Sequence, residues 1–332
     1  MTQSWRQPII QNMPNIFQTI RSTTQTVAQQ AQQVKINHHQ LDTYLKKLPL
    51  EKIDNPPLDP NTHYLGQGTD TLAFFLTLET INFGSGYFPH LNNHIDGSGY
   101  FMVAGALKKY YDENGPIPAT QLAQLTGKDC AIIFNQPWEM PIQELMDLFA
   151  QALNQLGQFL LTHFNGHFEK VFEAADHSAE KLVQLLMQIP CFYDVATYQD
   201  VQVLILKRAQ ITAADIALAF GNKGLGYFND LDQLTIFADN MVPHVLRCDG
   251  ILEYREDLAH IIDNQQLLPA GSMGETEIRA CAIHTVELIK NKYKELGKDF
   301  TSVDLDYLLW NRGQDAFYEE RYPIHLTRTT FY

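Results

Sequence analysis

The stretch from Pro141 to Phe164 constrains this chain more than any other. Ile142, Leu145, Leu148, Phe149, Leu153, Leu156, Phe159, Leu160 and Phe164 recur every three or four residues. That spacing puts one apolar stripe along a long helix, and such a stripe must be buried against other elements. "SAEKLVQLLMQIP" repeats the pattern and stops at Pro190. "ETEIRACAIHTVELIKNKYKELG" is amphipathic and ends in Lys and Gly, as helix C-termini do. "TSVDLDYLLW" opens with the Thr301–Asp304 spacing of a capping box. "VLILKRAQITAADIALAFGNKG" is apolar on most sides and predicts a buried helix ending at glycines. The fold class is therefore mainly α, with a few short strands in the N-terminal half.

Two stretches are less regular. Residues 1 to about 50 are Gln-rich, and "TQTVAQQAQQVKI" reads as a surface helix or a loosely held arm. The breaker cluster "DNPPLDPN" closes it, which divides the chain into an N-terminal helical arm, 1–60, and one globular helical domain, 61–332. Residues 62 to about 140 alternate short apolar runs with Gly, Asn and Pro, and the short strands are expected there. "GSGYF" occurs twice, at Gly84–Phe88 and Gly97–Phe101, but neither copy completes a GxGxxG fingerprint.

Charge narrows the function. The 332 residues carry 24 basic and 38 acidic side chains, a formal net charge of -14. Nucleic-acid binding needs a basic footprint, so this balance argues against a DNA or RNA partner. A small phosphorylated ligand needs only a few cations and stays open. The four cysteines, Cys130, Cys191, Cys248 and Cys281, form no CxxC pair, so no zinc ribbon or redox dithiol is indicated. No signal-peptide core and no apolar run of about 20 residues is present. The expectation is a reduced, soluble, cytoplasmic protein with no membrane contact and no obligate protein partner.

Several residues carry candidate chemistry. His90 and His94, and His163 and His167, have the i, i+4 spacing of metal ligands, but no Glu follows the first His as in HExxH. They read as surface or capping histidines. Lys207 and Arg208 lie in an apolar segment, and helix neighbours point about 100° apart, so both cannot share one exposed stripe. Whichever faces inward needs an anion, either an acidic side chain or a ligand phosphate. Val203 and Ile211 flank Lys207 at four residues and make it the inward one. In "DLDQLTIFADNMVPHVL", Pro243 would end a helix at Asp239 and Asn240. Two readings stand side by side. Asp239 or Asn240 caps the next helix, or Asp239 is a carboxylate held at a helix break for catalysis. The C-terminal "RYPIHLTRTTFY" combines aromatic and basic residues, which suits a docked strand or a stacking and phosphate site.

Many segments in one order resemble the queuosine salvage protein family, the queuosine 5'-phosphate N-glycosylases. They are "INFGSGYF", "GSGYFMVAGALKKYYDENGPIP", "SAEKLVQLL", "LKRAQITAADI", "FNDLDQLTIFADNMVPHVL", "ETEIRACAIHTVELI", "DYLLW" and "PIHLTRTTFY". The resemblance implies a mainly helical fold similar to that of DNA glycosylases, with no metal or organic cofactor. It implies hydrolysis of the N-glycosidic bond of queuosine 5'-monophosphate to queuine and ribose 5-phosphate. Carried over by position, it assigns catalysis to Asp239 and substrate contacts to Lys207, Asn82, Asp306, His325 and Arg328. Lys207, His325 and Arg328 are the phosphate candidates. Phe83, Tyr87 and Tyr100 either stack on the base or pack the core. The sequence departs from the family at Gly84 and Ser85, at Asn240 and Met241, and at Asn311. The other readings are a nucleotide-binding protein of this fold without turnover and a glycosylase of nucleic acid.

Overall fold

A computed structural model of the chain describes residues 15–53, 58–92 and 99–332. His94, Gly97, Ser98 and the Asp54–Pro57 part of the breaker cluster lie outside the described residues. The fold is mainly α. Three helices form its centre: Thr69–Thr80, Lys207–Ala219 and Met273–Glu295. In the first, every side chain from Thr71 to Thr80 is buried, so this helix has no solvent face.

The Ile142–Phe164 helix forms as its stripe requires, with Ile142, Leu145, Phe149, Leu153, Leu156, Phe159 and Leu160 buried. Asn165 ends it in a left-handed conformation, φ 52°. Gly157 lets the short Ala119–Leu122 helix lie against it, since a Cβ there would stand 2.4 Å from the Ala123 nitrogen. The capping box at Thr301–Asp304 is present and starts the Ser302–Arg312 helix.

Four strands pair into two small antiparallel sheets. β1 (Val34–Ile36) pairs with β4 (Leu252–Tyr254), and β2 (Val195–Tyr198) pairs with β3 (Val201–Leu204). Among the described residues, only β1 lies in the N-terminal half. The described part of 62–140 holds helices and no strand, including Thr69–Thr80 and Gly99–Asn114. The "VLIL" run is not the start of the next helix, as its apolar pattern suggested. Its Val203 and Leu204 close β3 of a hairpin, and Leu206, at φ 55°, turns the chain into the helix that begins at Lys207. A four-residue apolar run has no period of its own, and Val201 and Val203 favour the strand.

The Gln-rich segment forms the Ile16–Gln30 helix. Ile16, Phe17, Ile20, Thr24 and Val27 are buried, and the helix packs on Met273–Glu295. Its Arg21 pairs with Glu287 at 2.9 Å. The four cysteines are buried and unpaired. Among the described residues, no helix is long and apolar enough to cross a membrane.

Candidate active site

The Lys207–Ala219 and Ser302–Arg312 helices both line a cavity of about 760 Å³. Its wall includes Asn82, Phe83, Tyr100, Lys207, Asp239 and Asp306, which brings six of the nine residues that the resemblance singled out to one place. Five separate stretches of chain supply those six side chains.

Asp239 does not end a helix. The residues before it form one 3-10 turn, Leu231–Gln233, and then run irregularly to Ala238. The helix lies after it, Met241–Cys248, and Pro243 falls in its first turn, where no N–H is needed. The Asp239 Oδ1 accepts from the Met241 N–H at 2.8 Å, so the carboxylate helps cap this helix. It also lines the cavity and is partly exposed through it. The two readings of Asp239 are therefore compatible in one geometry. Burial lifts its carboxyl above the ordinary carboxylate range, opposed first by the nearby Lys207 ammonium.

The preceding backbone is fixed from two sides. The Phe237 N–H donates to Asp306 Oδ1 at 2.9 Å, and the Arg279 Nε donates to the Ala238 carbonyl at 2.8 Å. Arg279 is itself held by a fork to Asp194, at 3.0 and 2.6 Å.

Lys207 and Arg208 both face inward, because the start of their helix lies in the centre of the protein. Lys207 Nζ donates to the Asn82 carbonyl at 3.3 Å and reaches the cavity. Burial lowers its ammonium, while Asp239 and Glu79 hold the charge on it. Arg208 turns away from the cavity. It donates to the carbonyls of Glu79, Thr80, Cys191 and Thr330 and lies 5.0 Å from the rings of both Phe83 and Phe192. Its partners are thus neutral main-chain oxygens and no anion, a solution that the sequence reading did not consider.

Asp306 stands beside Asp239. Burial and then the Asp239 charge push its carboxyl up to about 8, so it is protonated at neutral pH. This has a consequence for stability. A carboxyl raised on folding binds a proton that the unfolded chain has released between pH 3.8 and about 8. Its stabilising contribution is complete below that window and is lost as pH rises through it. Asp306→Asn keeps the acceptor for Phe237 and removes the titration. Urea unfolding should therefore show the variant gaining on the parent protein between about pH 5.5 and about pH 8. A difference that stays constant with pH would mean that Asp306 is ionised in the folded state.

His325 and Arg328 do not line the cavity. The C-terminal segment is extended, with Leu326 bridged to Leu267, so alternate side chains face opposite ways. Ile324 and Leu326 reach the cavity wall, and His325 points behind it. His325 is buried against the Tyr332 hydroxyl, 3.4 Å away, and burial pushes its imidazole down to about 3. A neutral ring in that place offers no charge to a phosphate. Arg328 pairs with Glu144 at 3.3 Å and lies 4.8 Å from the Tyr87 ring.

Asn82 donates to Glu79 Oε2 at 2.8 Å. Phe83 serves both wall and core, edge-on to Phe149 at 5.1 Å. Tyr100 meets His63 Nε2 at 3.0 Å, and Tyr87 lies off the cavity. No group of three His, Cys, Asp or Glu placed for a metal occurs among the described residues.

The family profile of the queuosine salvage protein matches residues 62–332. The chain belongs to the queuosine salvage protein family. A Sphaerobacter thermophilus protein named queuosine 5'-phosphate N-glycosylase/hydrolase is 35% identical over 94% of this chain and 97% of its own length. Proteins of the same name from Dictyostelium discoideum and Bos taurus are 29% and 32% identical. The first covers 96% of this chain and 100% of itself, the second 71% and 72%.

In this chain, Ser85, Asn240, Met241 and Asn311 all line the cavity. The departures noted in the sequence therefore gather around the site, and the buried Ser85 hydroxyl has no partner. Sequence reasoning missed Asp215, Tyr307, His63, Trp310 and Tyr332, which also line it. One signal was available. An acid within "ITAADIALA", like Glu79 within "LAFFLTLETI", interrupts an apolar helix and needs a reason to be there.

Proposed function

We propose that this queuosine salvage protein hydrolyses the N-glycosidic bond of queuosine 5'-phosphate, releasing queuine and ribose 5-phosphate. The observation that carries the proposal is the Asp239 carboxylate facing a cavity of about 760 Å³ beside Lys207 and Asp306, whose carboxyl burial pushes up to about 8. Breaking a ribosyl bond builds positive charge at C1', and a fixed carboxylate in a poorly hydrated site stabilises it strongly. Because burial raises its proton affinity, Asp239 is also a better base toward the attacking water than an exposed aspartate. The 7-deaza ring has carbon in place of N7, so leaving-group assistance comes from hydrogen bonds elsewhere on the base. Asp306, which holds a proton, is a donor within the cavity. Lys207 is the one Lys or Arg on the described cavity wall and is the candidate for the phosphate.

A cavity of about 760 Å³ with a single Lys or Arg on its described wall, in a protein of net charge -14, favours a small nucleotide over a nucleic acid. The test is direct. Purified protein is incubated with queuosine 5'-phosphate, and free queuine is measured by chromatography. Release at a rate that scales with enzyme is expected. Tight binding without release would instead identify a nucleotide-binding protein.

A further inference from the structure

Two acids remain unused by this chemistry, Asp215 on the cavity wall and Glu79 fully buried off it. Glu79 lies in the last turn of the Thr69–Thr80 helix, and Asp215 lies in the Lys207–Ala219 helix packed against it. Asp215 lines the cavity, and Tyr307 donates to its Oδ1 at 3.2 Å. Glu79 Oε2 is taken by Asn82, while Oε1 is fully buried and meets no donor from any other group. The Asp215 carboxyl lies within reach of the Glu79 carboxyl, and the two act on each other's proton affinity. Two acceptors in contact are held together only by a proton between them.

The charges explain why that proton is there. Among the described residues, Glu79, Asp215 and Asp239 share two nearby cations, Lys207 and Arg208, while Asp306 holds a proton of its own. The third, Arg279, is committed to Asp194 and Glu275. Burial, and then the charge of Glu79, lifts the Asp215 carboxyl far above the ordinary carboxylate range. The pair therefore holds a proton where a further cation would serve. Tyr100 and Tyr307 add aromatic walls beside it, which also favour a cation.

The arm on the base of queuosine carries a secondary alkylamine, protonated at neutral pH. Resting on the function proposed above, we propose that the Glu79–Asp215 pair is the subsite that receives this alkylammonium, and that the ammonium replaces the proton shared by the two carboxyls. The displaced proton passes to solvent. The pair then fixes the distal end of the base while Asp239 faces the sugar, so it discriminates between bases with and without a cationic arm.

Titration calorimetry of the whole protein with queuine and with 7-deazaguanine, in two buffers of different ionisation enthalpy, tests this. Queuine should release about one proton more than 7-deazaguanine. In Asp215→Asn that difference should vanish, and the preference for queuine should fall by about tenfold or more. Glu79→Gln gives a second route to the same reading should Asp215→Asn fold poorly. Equal proton release by the two bases in the unmodified protein would overturn the proposal, as would a preference untouched in both variants. A pair that merely joined two helices would give that equality. Hydrolysis of queuosine 5'-phosphate by the unmodified protein reports separately on the glycosylase reading, so the two fail independently.

Discussion

Asp239→Asn should lower the turnover of queuosine 5'-phosphate by roughly 10²–10⁴-fold. The substitution removes one charge and almost no volume. Its side-chain oxygen still accepts from the Met241 N–H, so the start of the Met241–Cys248 helix is kept. Because burial already disfavours the ionised form, the variant should melt no lower than the parent. The loss should fall on kcat more than on KM, since the carboxylate acts on charge that develops only in the transition state. Single-turnover kinetics with thermal melting would check both halves. Near-full activity in a folded variant would remove Asp239 from the chemistry. A collapse in melting temperature would mean that its capping role is the greater one.

Arg279→Met should cost about 3–5 kcal/mol of stability. Arg279 is buried, forks onto Asp194, reaches Glu275 at 3.4 Å, and lies 4.5 Å from the Tyr332 ring. Removing it leaves two buried carboxyls facing one another's charge and frees the Ala238 carbonyl that precedes Asp239. Urea unfolding would measure the loss. The double variant with Asp194→Asn should be less destabilised than the sum of the two singles, because each single strands a charge that the double removes. Additive losses would mean that the two side chains do not act as a unit. Activity at a temperature where Arg279→Met remains folded should also fall, since the Asp239 backbone has lost one of its two anchors.

Much of the helical fold was readable because long stripes such as Ile142–Phe164 constrain many residues at once. The errors fall where a short segment admits two periods. "VLIL" runs straight into "KRAQ" in sequence, and nothing marks Leu206 as the residue that takes a left-handed turn between strand and helix. "DLDQLTIFADN" spaces its apolar residues as a helix would, yet hydrogen bonds to Asp306 and from Arg279 hold its second half irregular. Those partners are 69 and 41 residues away, beyond any local window. The same limit governs the site. Asp239 and Lys207 were accessible because each is an odd residue in an apolar setting. Glu79 and Asp215 were just as odd individually, but their meaning comes from each other, across 136 residues. His325 was misplaced for the opposite reason. Its place in the chain was right, but alternation along an extended segment turned it to the far side of the wall.

Lys207 and Arg208 show what adjacency on a helix achieves when both neighbours are buried. Arg208 gathers main-chain oxygens from residues 79 and 80, 191, and 330. It acts as a keystone: three arcs of chain lean on one guanidinium, and the next residue takes its position from that arch. Loosening any one arc would leave a buried cation short of acceptors and shift the ammonium beside it. The cavity is therefore not a feature of one subregion that the rest merely supports. It exists only when distant parts of the chain have closed on the same point, which makes the geometry around Asp239 a property of the completed fold.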